Sequence, residues 1–221
     1  GVARVYAHPS AVAAPPPPPP PPSTPPFDAT AVLRYEDAGY VPGPITWTYE
    51  LGSASASMAM SANGNVFAIG DRGLMAPWSE MPNSNRYNNG GVYVFAWNGT
   101  GWAQRGDMIR GPTDQDAYSG DSVALSDDGT ILAIGTPGAH LYHVADAGDA
   151  RVYVWNGTDW TQRGPRLPLI LDDNPGAWPD FMPNSNDRFG IAVALSGDGS
   201  IVVAGSKTSS RSRVHVFSWD G

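Results

Sequence analysis

Residues 121–138 read DSVALSDDGTILAIGTPG, and residues 150–164 read ARVYVWNGTDWTQRG. Four short runs of β-forming residues lie in this stretch: Ser122–Ser126, Thr130–Gly135, Arg151–Trp155 and Asp159–Arg163. Each is rich in β-branched or aromatic residues, and each is bounded by turn formers. Asp128-Gly129 separates the first two and Asn156-Gly157 the last two. Both dipeptides favour the positive φ angles of a tight hairpin, so the stretch predicts four antiparallel strands in one meander.

The unit recurs on either side. Ser57-Met58-Ala59-Met60-Ser61-Ala62-Asn63-Gly64 matches Ser122 to Gly129, and Ala192-Val193-Ala194-Leu195-Ser196-Gly197-Asp198-Gly199 matches it again, at offsets of 65 and 70 residues. The second half recurs as Val92 to Gly106, and Val214 to Gly221 begins a third copy. A repeat of four short strands is the signature of a propeller blade. The expected fold class is all-β, with about three incomplete four-stranded antiparallel propeller-like blades. Their repeats fall at about 45–110, 118–170 and 188–221 within a β-domain spanning 27–221.

The pattern V-A-L-S-x-D-G-x-x-L-A-I-G, then V-Y-V-W, then W-x-Q-R-G, resembles the FG-GAP type of repeat. That resemblance covers roughly residues 45–221. It implies a β-propeller of the kind that includes the integrin α-subunit head. Phe189-Gly190 keeps the name-giving pair, and Gly135-Thr136-Pro137 stands where Gly-Ala-Pro is expected. Calcium is not carried over from the resemblance. The turns at Asp127-Asp128-Gly129, Gly197-Asp198-Gly199 and Ala62-Asn63-Gly64 are too short to wrap a cation with six or more oxygens.

Composition narrows the function classes. The net charge of −8, with Lys207 the one lysine, disfavours a phosphate backbone as partner. No apolar run is long enough to span a membrane. With no cysteine there are no disulfides and no thiolate metal sites. Asn98-Gly99-Thr100 and Asn156-Gly157-Thr158 are N-glycosylation acceptors at the same place in two successive repeats. Asn-Gly-Thr is also simply good turn chemistry, but the family context and the proline tract favour glycans on Asn98 and Asn156.

The N-terminal region is of a different kind. Residues 1–14 form an extended or strand segment in which Ala3-Arg4-Val5-Tyr6 echoes Ala150-Arg151-Val152-Tyr153. On that reading the chain starts and stops within a repeat. Residues 15–26 are a linker: Pro15, Pro16, Pro17, Pro18, Pro19, Pro20, Pro21 and Pro22, then Ser23, Thr24, Pro25 and Pro26. The eight-proline run adopts polyproline II, spanning about 25 Å at 3.1 Å per residue. It also resembles the hydroxyproline-rich tracts of algal and plant extracellular glycoproteins. That resemblance implies a rod bearing O-glycans, and the alternatives are an inert spacer or a ligand for an aromatic-lined groove.

Ile45 to Leu51 (ITWTYEL) resembles the fourth strand of a repeat, whereas the copy at 189–221 lacks its fourth strand. Ile45, Trp47, Tyr49 and Leu51 are therefore the expected assembly strand. It would complete either an open blade of a neighbouring copy, head to tail, or a longer propeller of which this is one window.

Catalytic signatures are lacking. There is no G-x-S-x-G, no phosphate-binding glycine loop and no H-E-x-x-H. His140, His143, Asp146 and Asp149 form a metal-like cluster without a recognised spacing, and are read as a solvated loop. Asp114, Asp116 and Asp121 leave calcium as a minor alternative, without a glycine-centred loop or bidentate Glu. Trp97, Trp102, Trp155, Trp160 and Trp219 recur at strand ends and are read as packing residues rather than a sugar platform. The shared Met-Pro-Asn-Ser-Asn of 81–85 and 182–186 is read as turn chemistry.

The expectation from sequence is an extracellular, cell-surface structural glycoprotein without enzymatic activity or resident cofactor. Its partners would be other copies of itself, with no nucleic acid and no membrane span. The alternative is an adhesion or ligand-binding propeller fragment of integrin-α-head type.

Overall fold

The structure is a computed structural model, and it describes residues 57–75, 88–112, 116–141, 144–167, 186–207 and 212–220. The segments 1–14 and 15–26 and the assembly strand Ile45–Leu51 lie outside the described residues. Among the described residues the protein is all-β, built of three antiparallel sheets.

The first sheet orders β1 (Ser57–Met60), β2 (Val66–Asp71), β3 (Gly91–Trp97) and β4 (Trp102–Gln104), and the two-residue β5 (Ile109–Arg110) also pairs with β3. The second is a four-strand meander of β6 (Ser122–Leu125), β7 (Ile131–Thr136), β8 (Asp149–Trp155) and β9 (Trp160–Gln162). The third has β10 (Ala192–Leu195), β11 (Ile201–Lys207) and β12 (Ser212–Ser218). Registers are equivalent: Met60 pairs with Phe67, Leu125 with Leu132, and Leu195 with Val202.

The turn at Asp128-Gly129 differs from the two-residue hairpin expected there, whereas at the other turn Asn156 N–H donates to Asp159 C=O and leaves two residues, Gly157 and Thr158, between them. Gly129 N–H donates to Ser126 C=O, and Ser126 N–H donates to Ile131 C=O, so four residues make the connection. Only the glycine is left-handed, with φ 68° at Gly129. The carboxylate explains the longer loop. Asp128 Oδ1 accepts from the Ser126 hydroxyl at 2.7 Å and from Thr130 N–H at 2.9 Å, so the turn closes around a side chain. Asn63 and Asp198 do the same in the other sheets.

Alternation along the strands puts one face of each sheet against its neighbour. Val66, Ala68, Val92 and Val94 of the first sheet pack on Val123, Leu132, Ile134 and Trp160 of the second. Ala133 and Val152 on the other face of the second sheet pack on Val202 of the third. Each fully buried aliphatic contributes about 1.5–3 kcal/mol.

Glycines set the spacing. A Cβ at Gly135 would collide with the Gly190 carbonyl oxygen, and one at Gly70 with that of Gly120. Gly190 N–H in turn donates to Gly205 C=O at 2.9 Å, and Gly120 N–H to Gly135 C=O at 3.0 Å. The Phe-Gly pair thus has a mechanical role. Phe189 is fully buried while Gly190 lies on the backbone of the preceding sheet.

Gly135→Ala is expected to destabilise the protein by about 1–3 kcal/mol, because backbone must move to admit the methyl group. Gly101→Ala, with open space around its Cβ, should stay within about 0.5 kcal/mol of the parent. Urea denaturation of both variants checks the contrast.

Candidate functional site

The surface features that repeat with the sheets fall into two sets: rim turns and sheet junctions. The rim turns carry the sequons. The Asn98 carbonyl oxygen accepts from Thr100 N–H, from the Thr100 hydroxyl and from Gly101 N–H, each at 2.9 Å. The Asn156 carbonyl oxygen accepts from Thr158 N–H and Asp159 N–H at 2.9 Å. Both asparagines are exposed, and beside them Gly99 and Gly157 have open space where a Cβ would point. The side-chain oxygen is thereby oriented into the turn at both sequons.

The junctions use residues whose role the sequence did not disclose. In W-x-Q-R-G, the arginine of one sheet reaches the next. Arg105 Nη1 donates to Gly129 C=O at 3.0 Å, and Arg163 Nη1 to Gly199 C=O at 3.1 Å. The same guanidinium groups lie over tryptophan rings, Arg105 at 4.7 Å from Trp155 and Arg163 at 4.5 Å from Trp219. Trp160 Nε1 donates back to Arg105 C=O at 2.9 Å. Trp155 and Trp160 pair at 5.6 Å, as do Trp97 and Trp102. The recurrence of Gln-Arg-Gly in register was the available signal. Sequence alone does not show that its arginine crosses to the following sheet.

At the inner strands, Val123 N–H donates to Ser57 Oγ at 3.0 Å and Val193 N–H to Ser122 Oγ at 2.9 Å. The turns are chained as well: Ala62 N–H donates to Asp127 C=O, and Asp127 N–H to Gly197 C=O. Near the other end of the strands, Arg72 Nη1 binds Asp121 Oδ1 at 2.8 Å.

The candidate metal residues are dispersed. Asp149 is not in a solvated loop: it begins β8, is fully buried, and its Oδ2 is held by Arg151 Nη2 at 3.0 Å, with Arg166 Nη1 at 3.8 Å. Among the described residues its Oδ1 has no hydrogen-bond partner. His140 Nε2 lies 4.0 Å from Asp146 Oδ1, and His143 is outside the described residues. Asp116 Oδ1 accepts from Asn88 N–H and the Asn88 side chain, while Asp121 is taken by Arg72 and Asp114 is outside the described residues. Among the described residues, no three acidic or imidazole side chains converge on one point, and no helix is long and apolar enough to cross a membrane.

No family model matches the chain, and no curated protein matches it. Among solved structures, it is similar to a hydrazine synthase from Kuenenia stuttgartiensis. The TM-score is 0.43 and the identity 15%, over 76% of this chain and 46% of that one. The chain therefore spans less than half the length of that structure, and the likeness is too distant to carry function.

Two outcomes are expected. Arg105→Ala should cost about 1–3 kcal/mol in a denaturant titration, through loss of both the charged hydrogen bond and the ring contact. Arg105→Lys should restore little of it, because a flat guanidinium is what stacks and donates together.

The turn carboxylates should titrate low. Hydrogen bonds from Ser196 and Ser200 hold Asp198 down to about 2. At Asp128, burial opposes ionisation, but hydrogen bonds from Ser126 and Thr130 outweigh it and hold the carboxyl below its usual range. A carboxyl whose folded pKa is depressed contributes stability in full above its ordinary value of 3.8 and loses it as pH falls toward about 2. Asp198→Asn, which mimics Asn63, should keep the turn and flatten that part of the acid limb. Carboxyl carbon shifts followed by NMR through the acid range give the check.

Proposed function

We propose that this protein is an extracellular structural glycoprotein, a non-enzymatic protomer of a surface fibril in which copies join head to tail by β-strand complementation. The observation that carries this reading is the edge of the third sheet. The first two sheets have β4 and β9 paired outside β3 and β8, whereas β12 has no such partner among the described residues. Beside that edge, Val214 and Val216, 69% and 68% exposed, lie on the outer face of the sheet with Ala192 and Ala194. The unpaired backbone groups of such an edge template a further strand. In this reading Ile45, Trp47, Tyr49 and Leu51 of a neighbouring copy supply it.

The exposed turns at Asn98 and Asn156 are compatible with N-glycans, and Pro15 to Pro26 would act as a glycosylated or plain spacer. No resident metal or other cofactor is proposed. A second reading, an adhesion propeller fragment of integrin-α-head type, is favoured by the equivalence of the two sheet junctions. A ring of such junctions closes at about four to eight blades.

Electron microscopy of native material, with intact mass on the same sample, separates the two. Regular filaments with a mass above the 23.3 kDa of the peptide, falling after enzymatic removal of N-glycans, support the fibril. Discrete particles of peptide mass exclude it. Ile45→Pro with Trp47→Pro, which removes strand donors, should abolish the filaments.

A further inference from the structure

The two sheet junctions are made by the same positions, and each position can be followed to the outer sheets, where its partner is missing. On the inner strands, small residues face large ones. Ser57 and Ala59 of β1 stand on the face toward Val123 and Leu125 of β6. Ser122 and Ala124 of β6 stand on the face toward Val193 and Leu195 of β10. The series continues with Ala192 and Ala194 of β10, which are exposed. It begins with Met58 and Met60 of β1, which are 72% and 59% exposed. The third sheet thus shows a small-residue half and the first sheet a large-residue half of one contact.

Two further positions agree. Val66 packs on the turn at Gly129 and Ile131 on the turn at Gly199. The next apolar residue in this series, Ile201, is 42% exposed. The first turn in it, at Gly64, has open space where the others meet a side chain. The chained turns leave the Gly197 N–H at one end and the Ala62 C=O at the other without a partner among the described residues. One end offers a donor and the other an acceptor.

We infer that the outer face of the third sheet docks on the outer face of the first sheet of a second copy. Ala192 and Ala194 receive Met58 and Met60, Ile201 covers the turn at Gly64, and Gly197 N–H donates to Ala62 C=O. This rests on the head-to-tail reading and adds a stacking surface distinct from the β12 edge. The partner is a second copy because the contact required is the one this chain already makes twice with itself. One hydrogen bond is lacking at the joint. Ala192 stands where Ser57 and Ser122 accept from the following strand, so the Met58 N–H would have no hydroxyl to meet.

The test is sedimentation of the purified chain and its variants, with circular dichroism to confirm that each is folded. Met58→Asp with Met60→Asp should block one end, and Ala194→Trp the other. Each variant alone should fail to polymerise, and an equimolar mixture should give a dimer through the one intact pair of faces. Ala192→Ser restores the hydroxyl and should tighten association roughly fivefold.

Filaments that respond to these variants support both the surface and the fibril. A closed dimer that responds to them supports the surface and overturns the fibril. Filaments indifferent to them, yet lost with Ile45→Pro and Trp47→Pro, overturn the surface and leave the fibril standing. A wild-type chain that stays monomeric overturns both.

Discussion

Neighbouring sheets in this protein meet backbone to backbone, and the rest of the described structure depends on that approach. At Gly70 against Gly120, and Gly135 against Gly190, a methyl group would occupy the position of a carbonyl oxygen. Gly120 and Gly190 are held in that position by their own sheets, their N–H groups bonding Gly135 C=O of β7 and Gly205 C=O of β11. The same closeness lets Ser57 and Ser122 reach across to the next inner strand. The apolar contacts between sheets are then a consequence of the spacing as much as its cause. Large residues such as Leu132 and Ile134 fit because small ones, Ala59 and Ala68, stand opposite.

At the outer strands different chemistry holds the sheets together. There the arginine of W-x-Q-R-G spans the gap, with a charged hydrogen bond at its tip and a tryptophan ring beneath it. Arginine suits this place because its planar head donates and stacks at once, while its stem stays in apolar contact. The junction is therefore built of small residues at one end and of cationic and aromatic ones at the other. That gradient gives it a direction: each sheet has a donor face and an acceptor face that are not interchangeable. A contact of this kind between identical units is heterologous.

The strands were legible in the sequence because each is short, alternating and punctuated. Val152, Tyr153, Val154 and Trp155 admit one reading. The length of the turns was not, because Asp128-Gly129 looks the same whether the aspartate occupies a turn position or holds the turn through its carboxylate. The burial of Asp149 was also hidden. In the sequence it sits among histidines and aspartates of a polar loop, and only the pairing of Thr136 with Asp149, with Arg151 alongside, draws it inside. The Gln-Arg-Gly repeat was visible as a repeat but not as a bridge. Periodicity reports which residues are equivalent and is silent on which sheet they touch.

Repetition also shapes what the outer sheets can be. In a molecule with one core, each surface is selected separately to be soluble. In an array of equivalent sheets, a residue that packs well inside, copied outward, leaves an apolar face at the end. Met58, Met60, Ile201, Val214 and Val216 are such positions. Arrays answer this with polar capping units, and β1 and β12 show no such replacement. Asn63 is the nearest approach to one, an uncharged stand-in for the aspartates of the other turns, and it lies beside the open glycine rather than over it. In the proposed stacking of copies, apolar end faces that keep the interior pattern, in a chain of net charge −8, would confine attraction to two matched surfaces while the acidic remainder repels. That combination favours ordered contact over indiscriminate aggregation.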